Sequence, residues 1–266
     1  MTKKVWLTLC MLVWVCAALA QELYVNTEPA SNMAAKSLGI RLENEGYFKP
    51  EFKNRNILEL MYGLNKNLMV HSSLYLSNYY QGKQQFEGVS AYAKYRLYSA
   101  DSVQKHFRLA AFIKVASINN PIPNQEIALE GDNSGLQGGL VATQLLHKLA
   151  LSGSASYLRA MQNRGGYEPV TRNSIAYTLS AGYLLYPRKY TGYGQTNVNL
   201  YAELLGKTNP GRGQHYLDIA PAVQFIFNST LRVDLSYRTP LTNRMVRNTQ
   251  NMYLIRVEYN LFNLFN

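Results

Sequence analysis

The sequence predicts an all-β chain, folded as a single antiparallel transmembrane β-barrel of about twelve strands. Three observations carry that prediction. From Lys36 onward, successive runs alternate apolar and polar side chains with period two, as strands with one apolar face do. After residue 20 no stretch is apolar for the roughly 18 residues that mark a membrane helix, whereas the alternating runs reach the roughly 9–11 residues of a tilted membrane strand. Charged residues make up 16 % of the chain, against roughly 25 % in soluble domains. The 21 tyrosines fit the same picture, because tyrosine collects at membrane–water interfaces.

Residues 1–20 read as a secretory signal peptide. Lys3 and Lys4 begin it, Val5 to Ala17 is apolar, and Ala18-Leu19-Ala20 is a small-x-small cleavage site ahead of Gln21. Trp14-Val15 lacks the small residue that a lipobox places before its cysteine, so Cys16 is not read as a lipidation site. Cys10 and Cys16 are the only cysteines and both fall in this leader, which leaves the mature chain without disulfide or thiol chemistry. Without Lys3 and Lys4, 25 basic residues face 16 acidic ones, a net charge of +9. Export and the lack of a basic helix argue against nucleic acid as a partner. The charge suits anionic lipopolysaccharide, outer-leaflet lipid or an anion-attracting lumen.

Residues 21–35, QELYVNTEPASNMAA, show no alternation and contain Pro29. They read as a periplasmic segment or a small plug, with a mobile tail as the plain alternative. Residues 36–266 are the predicted barrel. Its runs lie near 36–45, 56–64, 68–79, 88–98, 106–117, 138–147, 149–160, 174–186, 197–207, 215–227, 231–238 and 251–266. The first sets Leu38, Ile40 and Leu42 against Arg41 and Glu43. The third sets Leu68, Val70, Leu74 and Leu76 against His71, Ser73 and Tyr75. The seventh opposes Leu149, Leu151 and Tyr157 to Ser152, Ser154 and Ser156. Pro221 falls inside the tenth run, and proline costs ladder hydrogen bonds, so a bulge or weakened pairing is expected there. The last run sets Tyr253, Ile255, Val257 and Tyr259 against Arg256 and Glu258, and its partner on closure is the first run.

Connections at 65–67, 99–105, 147–148, 187–195 and 228–230 fall at one end of such a barrel. Those at 46–54, 81–87, 119–136, 162–172, 208–214 and 239–250 fall at the other. Short periplasmic turns and longer external loops are the usual asymmetry, which places both termini in the periplasm. Asn119 to Leu136, the longest irregular stretch, reads as a surface loop, where function is often carried.

The inferred inner face carries the acids Glu43, Glu59, Glu203, Asp218, Asp234 and Glu258. It also carries the bases Arg41, Lys94, Arg96, Arg108, Lys114, Lys207, Arg232, Arg238 and Arg256. A basic side chain against lipid near the midplane costs about 2–4 kcal/mol, so these residues must face water or one another. Two roles stay open for them: salt-bridged ladders filling a narrow lumen, or a polar permeation path with a mild preference for anions. Catalysis has little support. His71 and Ser73 have the spacing of a barrel lipid hydrolase, yet both fall on the lumen side and their surroundings do not otherwise match. His71, His106, His147 and His215 are scattered without metal-ligand spacing, and no phosphate-binding glycine loop occurs. No cofactor is expected.

The closing stretch, NMYLIRVEYNLFNLFN, resembles the last strand of Gram-negative outer-membrane barrels, which ends in an aromatic near the carboxyl terminus, here Phe265. That resemblance implies recognition by the barrel-assembly machinery through this strand. With an exported segment around Glu28-Pro29-Ala30-Ser31-Asn32, the chain looks most like the hydrocarbon and fatty-acid channels and the phenol meta-pathway outer-membrane proteins. The resemblance implies passive passage of small, often apolar solutes across the outer membrane. The alternative is a non-conducting structural or adhesion barrel whose loops 119–136 and 239–250 bind partners.

Overall fold

The period-two runs form twelve antiparallel strands in the computed structural model, which describes residues 24–102, 105–188 and 194–262. They are β1 (Leu38–Tyr47), β2 (Lys53–Gly63), β3 (Leu68–Ser77), β4 (Gln85–Ser102), β5 (Lys105–Ile118) and β6 (Ser134–Leu146). There follow β7 (Leu149–Met161), β8 (Asn173–Tyr186), β9 (Asn197–Asn209), β10 (Gln214–Phe227), β11 (Leu231–Asn243) and β12 (Met252–Leu261). Each strand pairs with its neighbours in sequence, and β12 pairs with β1 to close the barrel. Closure leaves no open edge, which is the condition for a sheet to sit in lipid. The signal peptide expected over residues 1–20 and the closing aromatic Phe265 lie outside the described residues.

The barrel is apolar outward and polar inward. Leu42 and Leu179 are 57 % and 59 % exposed, and Ile113, Leu140, Leu185, Leu200, Leu235 and Ile255 lie exposed on the same outer face. At the rim where β1 ends, Phe48, Phe52 and Tyr253 stack with ring centroids 5.0–6.4 Å apart. At the opposite rim Tyr98 meets Phe107 at 6.2 Å. Aromatics at both rims match the interfacial girdles of membrane barrels. The rim where β1 begins and β12 ends is called proximal below, the other distal.

Proximal turns are tight where the chemistry allows. His147-Lys148 joins β6 to β7 with His147 at φ 57°, and Asn228 and Ser229 take φ 51° and 58° between β10 and β11. These are left-handed conformations suited to two- and three-residue hairpins. The turn expected over 99–105 is shorter, because β4 runs on to Ser102 and β5 starts at Lys105. Near Pro221 the irregularity sits upstream of the expected place. The β10–β11 register shifts between Leu217 and Asp218, then holds from Ile219↔Thr239 to Ala222↔Ser236 across Ala220 and Pro221.

Two segments lie inside the barrel. Residues 24–35 run within the lumen, with Tyr24, Val25, Ala30, Ser31 and Met33 buried. The connection between β5 and β6, expected on the surface, folds inward instead. Its Ile127 and Leu129 are 1 % and 0 % exposed and pack with Ile57, Tyr75, Ile118, Leu158 and Ala160. Two adjacent apolar anchors cannot stay in water when an apolar patch lies below them on the inner wall.

Candidate functional site

The lumen wall between β11 and β2 is a charge lattice set by register. Arg232 on β11 faces Glu258 on β12, Glu258 faces Arg41 on β1, and Arg41 faces Glu59 on β2. The next row reads Asp234, Arg256 and Glu43 across β11, β12 and β1. Signs alternate along each row and between rows, so every charge has opposite neighbours. Arg41 reaches Glu59 at 2.7 Å and Glu258 at 2.9 Å, while Arg232 reaches Asp234 at 2.6 Å and Glu258 at 3.3 Å. Arg256 donates to Glu43 at 2.6 Å and lies 3.6 Å from Asp234. Removing one partner from such a buried pair costs about 3–5 kcal/mol, so the lattice stands or falls as a unit.

Most of the remaining sequence-selected residues hold the two inserted segments. Glu203 accepts the Val25 and Asn26 backbone N–H groups at 3.0 and 2.9 Å. Lys94 donates to the Pro29 carbonyl at 2.7 Å and pairs with Glu28 at 3.3 Å. Arg108 donates to Ser31 at 2.8 Å, and Arg232 to the Tyr24 carbonyl at 2.8 Å. Thr143 on β6 accepts the Ala30 N–H at 2.8 Å. Residues 24–35 are thus tied to walls on several sides of the lumen. Between them and the wall lies a cavity of about 30 Å3, lined in part by Glu28, Met33, Arg41, Met61, Met69 and Glu258. That is room for a water molecule and little more.

On the distal side, each acid of the β5–β6 loop meets a wall cation. Glu126 pairs with Lys207 at 2.9 Å, Glu130 with Lys114 at 2.7 Å, and Asp132 with Arg55 at 2.5 Å. Asp218 binds Arg238 at 2.5 Å and Arg247 at 2.6 Å, and Arg238 also lies 4.0 Å from Glu126. Burial would raise the Glu126 carboxyl, but the Lys207 ammonium and the Arg238 guanidinium outweigh it and hold it down at about 2. Glu130 is held at about 2 by Lys114 and Lys207 against the same burial. Asp132 is different: burial prevails over Arg55 and leaves its carboxyl raised. The loop is also clasped to the β11–β12 connection, where Gln125 N–H donates to the Val246 carbonyl at 2.9 Å and Asn124 to Asn248 at 2.6 Å.

Arg96 stands apart: it is half-buried near the proximal rim, and its Nε has no hydrogen-bond partner among the described residues. His71 and Ser73 both turn to Glu59, at 3.4 and 2.9 Å, as parts of the polar wall.

On the strands, three buried charges escaped the sequence reading: Glu45, Arg55 and Glu87. Glu45 is the last residue of the run expected over 36–45 and keeps the inward parity of Arg41 and Glu43, while Arg55 lies one residue before the run expected over 56–64. Glu87 could not be found by strict alternation. A register shift between Tyr75 and Leu76 places a bulge at this point of β4, so Glu87 and Gly88 are buried in succession. Gly88, at φ 155°, would drive a Cβ to 2.2 Å from the Ser117 carbonyl oxygen, which explains the glycine there.

No protein-family model and no curated protein matches the sequence. Solved structures do match the fold. An outer membrane channel from Pseudomonas putida F1 superposes with a TM-score of 0.54 at 13 % identity, over 90 % of this chain and 100 % of that one. The KdgM porin, solved in complex with disordered oligogalacturonate, gives 0.47 at 11 % identity over 84 % and 98 %. The CymD monoaromatic hydrocarbon channel gives 0.40 at 11 % over 86 % and 88 %. At these identities the likeness is one of fold: the chain is a twelve-stranded β-barrel of the outer-membrane type.

Proposed function

We propose that this chain is a passive outer-membrane channel for small hydrophilic solutes, closed in the present conformation by residues 24–35 and by the β5–β6 loop. One observation carries the reading. The lumen is filled by two lengths of main chain in addition to wall side chains, and both are held largely by polar bonds to the wall. A barrel that encloses two peptide segments is wide enough to pass water and small solutes once they move. The charged wall favours hydrophilic cargo over the apolar cargo implied by the resemblance to hydrocarbon channels. In this reading the proximal rim faces the periplasm and the distal rim the exterior, with β12 as the strand presented to the assembly machinery and outer-membrane lipid and lipopolysaccharide around the wall. The adhesion alternative gains nothing, since its two loops are occupied with each other.

Planar-bilayer recording tests it. Protein beginning at residue 21 should conduct little, and protein beginning at Lys36 should conduct several-fold more, with mild anion selectivity. Absence of conductance in both, and in protein beginning at Lys36 whose residues 121–131 are replaced by a short turn, would refute the reading.

A further inference from the structure

Not all of the lumen needs the inserted segments for charge balance. In the β11–β2 lattice, Arg232, Arg256 and Arg41 already face Asp234, Glu258, Glu43 and Glu59 along the wall. The distal half differs. Its cations are Arg55, Lys114, Lys207, Arg238 and Arg247, and without the loop its acids are Glu45, Glu87 and Asp218. Arg55, Arg238 and Arg247 keep an acid on the wall when the loop is taken away. Lys114 and Lys207 have no direct ion pair on the wall: among the described residues their ion pairs are made with Glu130 and Glu126 alone, and Lys114 has besides only the longer-range field of Glu59. Both lysines are largely buried, with side chains 14 % and 15 % exposed, where an unpaired charge is costly. Around them the wall offers further donors to the loop, from Lys207 to the Ile127 carbonyl at 2.8 Å and from Asn209 to the Gln125 carbonyl at 2.9 Å. Beside Gln125 an open cleft of about 420 Å3 is lined by Arg244, which is exposed, and by Arg247, whose buried guanidinium is held by Asp218.

We infer that the distal half of the lumen is a binding site for solutes bearing two or more carboxylates, and that the β5–β6 loop occupies it as an internal stand-in. The inference rests on the channel reading and adds to it the chemistry of the cargo. Glu126 and Glu130 supply the carboxylates while the site is closed. A polycarboxylate entering past Arg244 takes over Lys207 and Lys114, and the released loop opens the path. Lysine is suited to such an exchange, since its ammonium accepts carboxylates in several orientations. A neutral solute of equal size offers nothing to the two lysines, and a cation is repelled.

Protein without residues 1–20 contains no cysteine, so Leu129→Cys provides a single thiol that is covered while the loop is in. Its maleimide labelling rate, in barrels verified by heat-modifiable gel mobility, reads loop release. Tricarballylate should raise that rate at least tenfold over potassium chloride of equal ionic strength, a comparison that removes simple screening. Sucrose should have no effect. Adding Glu126→Gln and Glu130→Gln should lower the half-effective tricarballylate concentration about tenfold or more, because the competing carboxylates are gone. Adding Lys114→Met and Lys207→Met should abolish the response. An equal rise with potassium chloride, or a response that survives loss of both lysines, would overturn the inference. Conductance without any tricarballylate response refutes the site and leaves the channel reading standing; a full response in an impermeable barrel does the reverse.

Discussion

Replacing Ile127 and Leu129 together by alanine should release the β5–β6 loop while leaving the barrel intact. Both side chains are almost wholly buried, at 1 % and 0 % exposure, against Ile57, Tyr75, Ile118, Leu158 and Ala160. Each truncation removes three carbons from that contact, at about 0.8 kcal/mol per buried CH2, so the pair weakens closure by about 5 kcal/mol. A released loop keeps part of its burial, and a discount of about 40 % leaves about 3 kcal/mol. At about 1.4 kcal/mol per factor of ten, the closed-to-open ratio falls about 100-fold. Amide exchange reads this directly, because Asn133 N–H is bonded to the Ala128 carbonyl at 2.8 Å and Ala128 N–H to Asn133 Oδ1 at 3.0 Å. Peptides spanning 119–133 should exchange about 100-fold faster, and those of β1 and β12 at the native rate. Unchanged loop exchange in an intact barrel would mean that the ion pairs alone hold the loop and that the two apolar anchors do not.

Three further outcomes follow from the same contacts. Glu203→Gln removes the charge that accepts the Val25 and Asn26 amides; charge-assisted bonds are worth about 1.5–3 kcal/mol each, so exchange across 24–30 should rise tenfold or more with the barrel still heat-modifiable. Arg41→Gln leaves Glu28, Glu59 and Glu258 short of their shared cation; the loss of about 3–5 kcal/mol should lower the temperature of the gel-mobility shift, and no lowering would contradict the lattice. Glu126 and Glu130 are held at about 2 from an ordinary 4.5, so their part in closure is complete above about pH 4.5 and is lost as pH falls toward 2. Asp132, raised by burial, works in the opposite sense but is a single group against two. Open probability should therefore rise as pH falls from about 4.5 toward 2; a fall over that range would contradict this.

The wall was legible in the sequence because a membrane strand buries one face in lipid and the other in water, which writes period two into every run. Leu42 and Ile255 face out, and Arg41 and Glu258 meet across the β1–β12 seam, because parity alone decides it. Parity fails where a bulge inserts a residue, and Glu87 was missed for that reason. At strand ends parity holds but the ends are hard to place: β2 begins at Lys53 and so takes in Arg55, ahead of the run expected from 56. The inward course of the β5–β6 loop had no periodic signal. Its trace was compositional: Ile127 and Leu129 interleaved with Glu126, Glu130 and Asp132, a pattern unlike a solvated loop. Residues 24–35 were ambiguous for a related reason. Their backbone is satisfied by Glu203, Thr143, Lys94 and Arg232 from distant strands, partners that no local pattern can name.

A wall that encloses a continuous aqueous path blocked by two inserted segments should pass sugar once both are removed. Efflux from liposomes reads this, comparing native protein, protein beginning at Lys36, protein with residues 121–131 replaced by a short glycine-serine turn, and protein carrying both changes. Efflux should be slow from the native barrel, rise in part with each single change, and be rapid when both are made. A folded barrel carrying both changes that still retains the sugar would contradict this.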